Sequence, residues 1–252
     1  MPERASSDAI EIAASDRVFV LTGAGISAES GLRTFRDSNG LWAGYQVETV
    51  ATPEGWDVNP ELVWQFYSQR RREAQASQPN AAHYALADLE KQIGERFFLC
   101  TQNLDDLHEQ AGSQNLVHMH GELFKARCEA DCGASVIEDS HSYNFMREIP
   151  ICACGSRLRP HIVWFGEVPL EMTRIQNEID RCSILLVVGT SGVVYPAASF
   201  VHQAKVRPRI PARTYYVGSE APLNASAFAR MILGRAGERL PGLFKISNAH
   251  SS

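Results

Sequence analysis

Apolar runs recur along the chain at intervals wide enough to hold a helix between them. Residues 17–21 (RVFVL) form such a run and end in Thr22-Gly23-Ala24-Gly25, the pattern of a buried parallel strand delivering a glycine turn into a helix start. Residues 96–100 (RFFLC) lead in the same way into Thr101-Gln102-Asn103, residues 184–188 lead into Gly189-Thr190-Ser191, and residues 214–217 supply a fourth strand. Helical patterns cover 60–76, 81–93, 104–111 closed by Gly112, and 171–181. This alternation predicts an α/β fold with a Rossmann-like parallel sheet, whose ligands gather at the carboxyl ends of its strands. Residues 37–79 and 127–159 break the alternation, the first rich in Trp, Gly and Pro before its long helix, the second holding clustered cysteines. They predict a smaller helical and metal-binding domain inserted into a larger one made of residues 1–36, 80–126 and 160–252, with frayed termini.

At 252 residues the chain suits one large domain with an appendage. Hydrophobic residues at 44% and charged ones at 21% exclude disorder and coiled coil. The formal charge of -5 removes a broad nucleic-acid footprint. The longest aliphatic run, 184–188, is far short of the roughly 18 residues of a bilayer span, so no membrane contact is expected. The first sixteen residues carry no export or transit pattern, which predicts a cytoplasmic protein.

Gly23-Ala-Gly-Ile-Ser-Ala28 fits G-x-G-x-x-G/A after a strand, where glycines let the backbone approach a pyrophosphate. The acid that usually follows about 20 residues later is missing, so the nucleotide site is unconventional. Arg33 and Arg36 are candidate phosphate partners or solvated arginines. Asn103, Asp105 and Asp106 either line a site at a strand end or cap the next helix. His118 and His120 are two apart, a spacing that suits a metal pair or structural histidines. Cys128-x3-Cys132, nineteen residues, then Cys152-x-Cys154 supply four thiolates, enough for a closed tetrahedral zinc site, with Gly133 and Gly155 as knuckle glycines. Cys100 and Cys182 read as buried apolar residues.

Together GAGISAESGLRTFR, TQNLDDLHEQAG, HMHGELFKARC, RPHIVWFGE and GTSGVVYPAA closely resemble the sirtuins, the NAD-dependent protein lysine deacylases, in family order over residues 17 to 200. The resemblance implies an NAD site of Gly23, Ala24, Gly25, Ser27, Ala28, Phe35, Arg36, Gln102, Asn103, Asp105, Gly189, Thr190, Ser191 and Ala236. It assigns Gln102 and Asn103 to ribose and a water, Asp105 to the nicotinamide amide, and His120 to the catalytic base, leaving His118 structural. NAD is consumed as co-substrate: the acyl oxygen of the modified lysine attacks the ribose carbon, nicotinamide leaves, and water completes transfer to O-acyl-ADP-ribose. The family usually has C-x-x-C twice, so the spacing at Cys128, Cys132, Cys152 and Cys154 departs from its pattern. So does Tyr216-Val-Gly-Ser-Glu220, where an Asn commonly follows a late strand.

On the substrate side, Leu62, Val63, Phe66 and Tyr67 make an apolar helical stripe on which Arg70 places a charge in need of an anion, although Arg71 extends a neighbouring row. Tyr67-x-x-Arg70 resembles the mark of the desuccinylase branch, and Ala28 would leave room for a longer acyl chain. Val163, Phe165, Gly166 and Glu167 lie in a short extended segment that in sirtuins pairs with the substrate backbone, Val163 lining the acyl-lysine channel. The expected partner is therefore an acylated lysine in a protein, with succinyl or malonyl favoured over acetyl. A deacetylase, a mono-ADP-ribosyltransferase and an NAD-sensing module without turnover are the competing readings. Oligomeric state is not written in the sequence.

Overall fold

The computed structural model describes residues 9–33, 41–42, 44–207 and 211–247. A six-stranded parallel sheet organises them, in the order Arg230–Leu233, Arg213–Gly218, Ile184–Val188, Val18–Thr22, Phe97–Thr101, Leu116–His118. Three of the four inner strands, Ile184–Val188, Val18–Thr22 and Phe97–Thr101, are buried along their whole length, as expected of a parallel sheet covered on both faces.

Alternation assigns each side chain a face. Val18, Val20, Phe97, Leu99, Ile184 and Leu186 pack against Leu86, Leu89 and Ile93 of the helix Ala81–Ile93. Their neighbours Phe19, Leu21, Phe98, Leu185 and Val187 meet Ile175 and Ile179 of the helix Met172–Arg181, together with Phe200 and Val201. Cys100 and Cys182 are buried on this second face. The helix 81–93 is capped by Asn80 with His83. A third core lies apart from the sheet and joins Val63, Trp64, Phe66 and Tyr67 of the helix Pro60–Gln75 to Leu123, Ala126, Leu158, Ile162 and Trp164. Of these, Leu123, Ala126, Leu158 and Ile162 belong to an antiparallel sheet of Ile137–Glu138, Gly121–Cys128 and Leu158–Ile162, and Trp164 follows its last strand.

Three expectations need correction. The chain ends are not simply frayed, because Ile10–Ile12 pairs in parallel with Phe244–Ile246, burying Ile10 and Ile12. The helix expected over 104–111 is only Leu107–Gln110, because side chains take the amides before it: Asn103 N–H donates to Thr101 Oγ1 and Leu107 N–H to Asp105 Oδ1. The extended segment expected at 163–167 is a loop. The strand stops at Ile162, Trp164 N–H turns to the Glu167 carboxylate, and Gly166 adopts φ +92°. No helix among the described residues is long and apolar enough to cross a membrane.

Candidate active site

The strand Val18–Thr22 has later strands on both sides, so the carboxyl ends of Val18–Thr22 and Ile184–Val188 flank a topological switch point, where open sheets place their ligands. The two glycine loops meet there. Gly25 N–H donates to the Gly189 carbonyl at 2.8 Å, and a Cβ on Gly25 would stand 2.7 Å from Gly189 Cα. Gly189 has φ +64°. Side chains are excluded from both positions, so one contact explains Gly25 and Gly189, while Gly23 abuts Thr190 and Gly192 adopts φ +74°.

A cavity of about 680 Å³ opens from this junction toward the third core, within the range of small-molecule sites. Its sheet end is lined by Gly23, Ala24, Gly25, Ser27, Gln102, Asn103, Asp105, Gly189, Thr190 and Ser191, with Arg33 at its edge. Its aromatic end holds Tyr67, Arg70, Val163, Phe165, Gly166 and Glu167, and His120 lines the same cavity. Ala28 is exposed and Ala236 is buried at the start of the short helix Ala236–Arg239, both outside this lining. Phe35 and Arg36 lie outside the described residues.

Polar side chains at the sheet end are locked to one another. Asn103 Nδ2 donates to Ser27 Oγ at 3.0 Å, and Ser27 Oγ donates to Asp105 Oδ1 at 3.4 Å. Burial pushes the Asp105 carboxyl up to about 6, against the hydrogen bonds from Leu107 and Ser27. His120 Nδ1 donates to the Gln102 carbonyl at 3.3 Å, an acceptor only, so the tautomer leaves Nε2 as the basic nitrogen. Burial lowers the His120 pKa, keeping the imidazole neutral near pH 7. His118 faces elsewhere. Its two nitrogens meet the Asn103 carbonyl at 2.9 Å and the Glu109 carboxylate at 2.7 Å, which makes it a brace for the loop that carries Asn103. In the segment 216–220, where the usual Asn is missing, the Tyr216 hydroxyl lies 2.8 Å from the Glu220 carbonyl and 3.2 Å from that of Thr190, its single proton serving one of them at a time.

The two arginines that spacing left unresolved separate cleanly. Arg71 is fully buried, donates to the carbonyls of Leu123 and His141, and pairs with Asp139 at 3.1 Å. It is structural. Arg70 lines the cavity with one nitrogen on Glu73 at 2.8 Å, while its buried Nε and Nη1 have no hydrogen-bond partner among the described residues. Tyr67 beside it is fully buried, and its hydroxyl accepts from Trp164 Nε1 at 3.1 Å. Sequence reasoning missed Trp164 and Glu73. The i,i+3 rule would have found Glu73, and the need of a buried indole N–H for an acceptor pointed toward Tyr67.

The four clustered cysteines are free thiols whose sulfurs all lie within 4.8 Å of one another. Cys128 and Cys154 approach to 3.5 Å and Cys132 and Cys152 to 3.6 Å. Zinc–sulfur bonds of about 2.3 Å in a tetrahedron put sulfurs about 3.8 Å apart, so the set fits structural zinc despite its uneven spacing. Hydrogen bonds from Ser156 hold Cys154 down to about 6. Although an Ala134 amide pulls the other way, the sulfurs of Cys128, Cys154 and Cys152 push Cys132 up to about 12. Four thiolates this close need a cation among them. Gly133 and Gly155 sit at φ +82° and +91°, turning the chain at each knuckle.

The model of the Sir2 family matches residues 23–196, across both glycine loops and His120. The chain belongs to the Sir2 family. The NAD-dependent protein deacylase of Escherichia coli (strain K12) is 49% identical over 227 residues, covering 89% of this chain and 80% of that protein. The protein of the same name from Pasteurella multocida (strain Pm70) is 48% identical over 233 residues, covering 89% and 95%. A mutant Sir2 homologue in complex with ADP ribose superposes with a TM-score of 0.82 at 38% identity over 91% of both chains. A Sir2 homolog–NAD complex gives 0.81 at 38% identity over 91% and 89%. The sirtuin resemblance read from five motifs is thereby borne out, as are the α/β fold and NAD dependence.

Proposed function

We propose that this Sir2-family chain, an NAD-dependent protein deacylase, acts by preference on lysines carrying succinyl or malonyl groups, with acetyl-lysine a poorer substrate. The observation that carries the acyl preference is the Arg70 side chain, 7% exposed and lining the cavity, whose nitrogens Nε and Nη1 have no hydrogen-bond partner among the described residues. Leaving buried guanidinium donors unsatisfied is costly unless a ligand completes them. A terminal carboxylate is the group that matches the fork of an arginine. Glu73 takes only one of its nitrogens. Burial holds the Tyr67 phenol well above its usual range, so it stays a neutral donor beside Arg70.

Bound at the sheet end, NAD supplies an electrophilic ribose carbon and a nicotinamide leaving group. The protein contributes position and proton transfer. Asp105 as carboxylate would accept from the nicotinamide amide, and Asn103, held by Ser27, would orient ribose and water. His120, neutral and with Nε2 free, would take a ribose hydroxyl proton. The cleft between the sheet and the third core keeps bulk water from the reacting carbon. Cys128, Cys132, Cys152 and Cys154 would hold a structural zinc that ties the small unit together, with no ligand position left for chemistry.

The test is mass spectrometry of the products formed from NAD and one peptide carrying acetyl-, malonyl- or succinyl-lysine. Higher kcat/KM on the two acidic acyl groups is expected. Equal or better use of acetyl-lysine would return the site to the deacetylase reading.

A further inference from the structure

Trp164 sits between the acyl wall and the charged loop behind it, 2% exposed and held on several sides. The Arg159 guanidinium lies 3.3 Å from its ring centroid, and the Trp56 ring packs at 5.9 Å. Its backbone N–H donates to Glu167 at 2.8 Å. Glu167 is itself fixed by both terminal nitrogens of Arg159, at 2.7 and 3.0 Å, and by Arg127 at 3.0 Å. An indole N–H donates and cannot accept. The Trp164 contact at 3.1 Å therefore commits the Tyr67 oxygen as an acceptor, and the phenolic proton finds no acceptor among the described residues. Tyr67 and Arg70, one helical turn apart, line one cavity, and the Arg70 nitrogens Nε and Nη1 have no hydrogen-bond partner among the described residues.

We infer that Trp164 is a positioning residue for acyl selection: its indole N–H fixes the Tyr67 hydroxyl so that the O–H is presented to the carboxylate of an acidic acyl chain. The inference rests on the acidic-acyl reading and deepens it. Acetyl-lysine carries no such acceptor, so the role is confined to acidic acyl groups. Glu167, whose carboxylate is spent on Arg127, Arg159 and Trp164, acts one step further back as the anchor of this arrangement.

The experiment compares Trp164→Phe, Tyr67→Phe, Arg70→Met and the Trp164→Phe/Tyr67→Phe double variant on matched succinyl- and acetyl-lysine peptides at saturating NAD. One hydrogen bond is worth a change of about 3- to 10-fold, so Trp164→Phe should lower kcat/KM on succinyl-lysine by that factor and leave acetyl-lysine within about 2-fold. The double variant should be no worse than Tyr67→Phe alone, because both remove one presented hydroxyl. Should the phenyl ring disturb packing, seen as a loss on both peptides or a fallen Tm, benzothienylalanine at position 164 keeps the fused ring and deletes only the N–H. The same selective loss is then expected. An unchanged succinyl-to-acetyl ratio in that variant, or additive losses in the double variant, overturns the role of Trp164. If Arg70→Met collapses the ratio while the position 164 variants spare it, this inference fails alone. If Arg70→Met also spares it, the acidic-acyl reading fails first and carries this inference with it.

Discussion

The two ends of the cavity are built by opposite means. At the sheet end the wall is backbone and locked side chains: Gly25 and Gly189 touch through backbone atoms, and the side chains of Asn103, Ser27 and Asp105 are bonded to one another. At the aromatic end the wall is side chain, and two nitrogens of Arg70 have no hydrogen-bond partner among the described residues. A wall of backbone cannot be altered without moving the sheet, whereas a wall of side chains changes with single substitutions. On the proposed reading, the co-substrate end is fixed by the fold and the acyl end is free to vary.

The harshest test of that contrast is His120, which lies between the ends. His120→Ala should lower turnover of succinyl and acetyl peptides alike by about 10²- to 10⁴-fold, with folding intact by circular dichroism. Near-normal rates would remove it from the mechanism. Arg70→Met should lower kcat/KM on succinyl-lysine by about 10- to 100-fold, the worth of a charge-assisted hydrogen bond, and spare acetyl-lysine. Its neighbour sharpens the point. Arg71→Met strands Asp139 and several carbonyls, so denaturant melts should show a loss of about 3 to 5 kcal/mol, while Arg70→Met leaves stability nearly unchanged.

Gly25→Ala tests the backbone wall. Its Cβ would meet Gly189 at 2.7 Å, and the overpacking should cost about 1 to 3 kcal/mol and raise the KM for NAD equally with either peptide. A selective effect on one acyl group would break the division between the ends. The smallest effect expected concerns Asp105. Its pKa is raised above the unfolded value of 3.8 to about 6, so the carboxylate form costs stability, and that cost grows as pH rises from about 4 to about 6. NAD affinity should fall as pH drops through about 6. Asp105→Asn should abolish that pH dependence, weaken NAD binding, and raise Tm by about 2 to 4 °C at pH 7. A lowered Tm would mean that Asp105 stabilises the fold rather than serving the ligand.

Periodicity located the inner strands to within a residue, because strands buried on both faces leave continuous apolar runs. The glycine loops were equally legible, since only glycine suits their contact. Pairings between distant segments were not. Nothing local links Ile10–Ile12 to Phe244–Ile246, and the shortened helix at Leu107 depended on side chains competing for amides. At the site, the motifs brought Asn103, Asp105 and His120 to one cavity, but the choice between Arg70 and Arg71 needed the packing of the helix Pro60–Gln75 against the strand Gly121–Cys128. Ala28 and Ala236 followed the motifs and yet lie away from the cavity lining, because a motif orders residues along the chain without saying which way they face.

The pairing of the first described strand with the last has a consequence for biosynthesis. Ile10–Ile12 emerges from the ribosome early, but its partner Phe244–Ile246 is translated more than two hundred residues later. At about 5 to 20 residues per second, the apolar side chains of Ile10 and Ile12 wait roughly ten to fifty seconds for the edge that covers them. The sheet can assemble from Val18 onward in that interval, so the outer seam closes last, after the nucleotide loops are already in place.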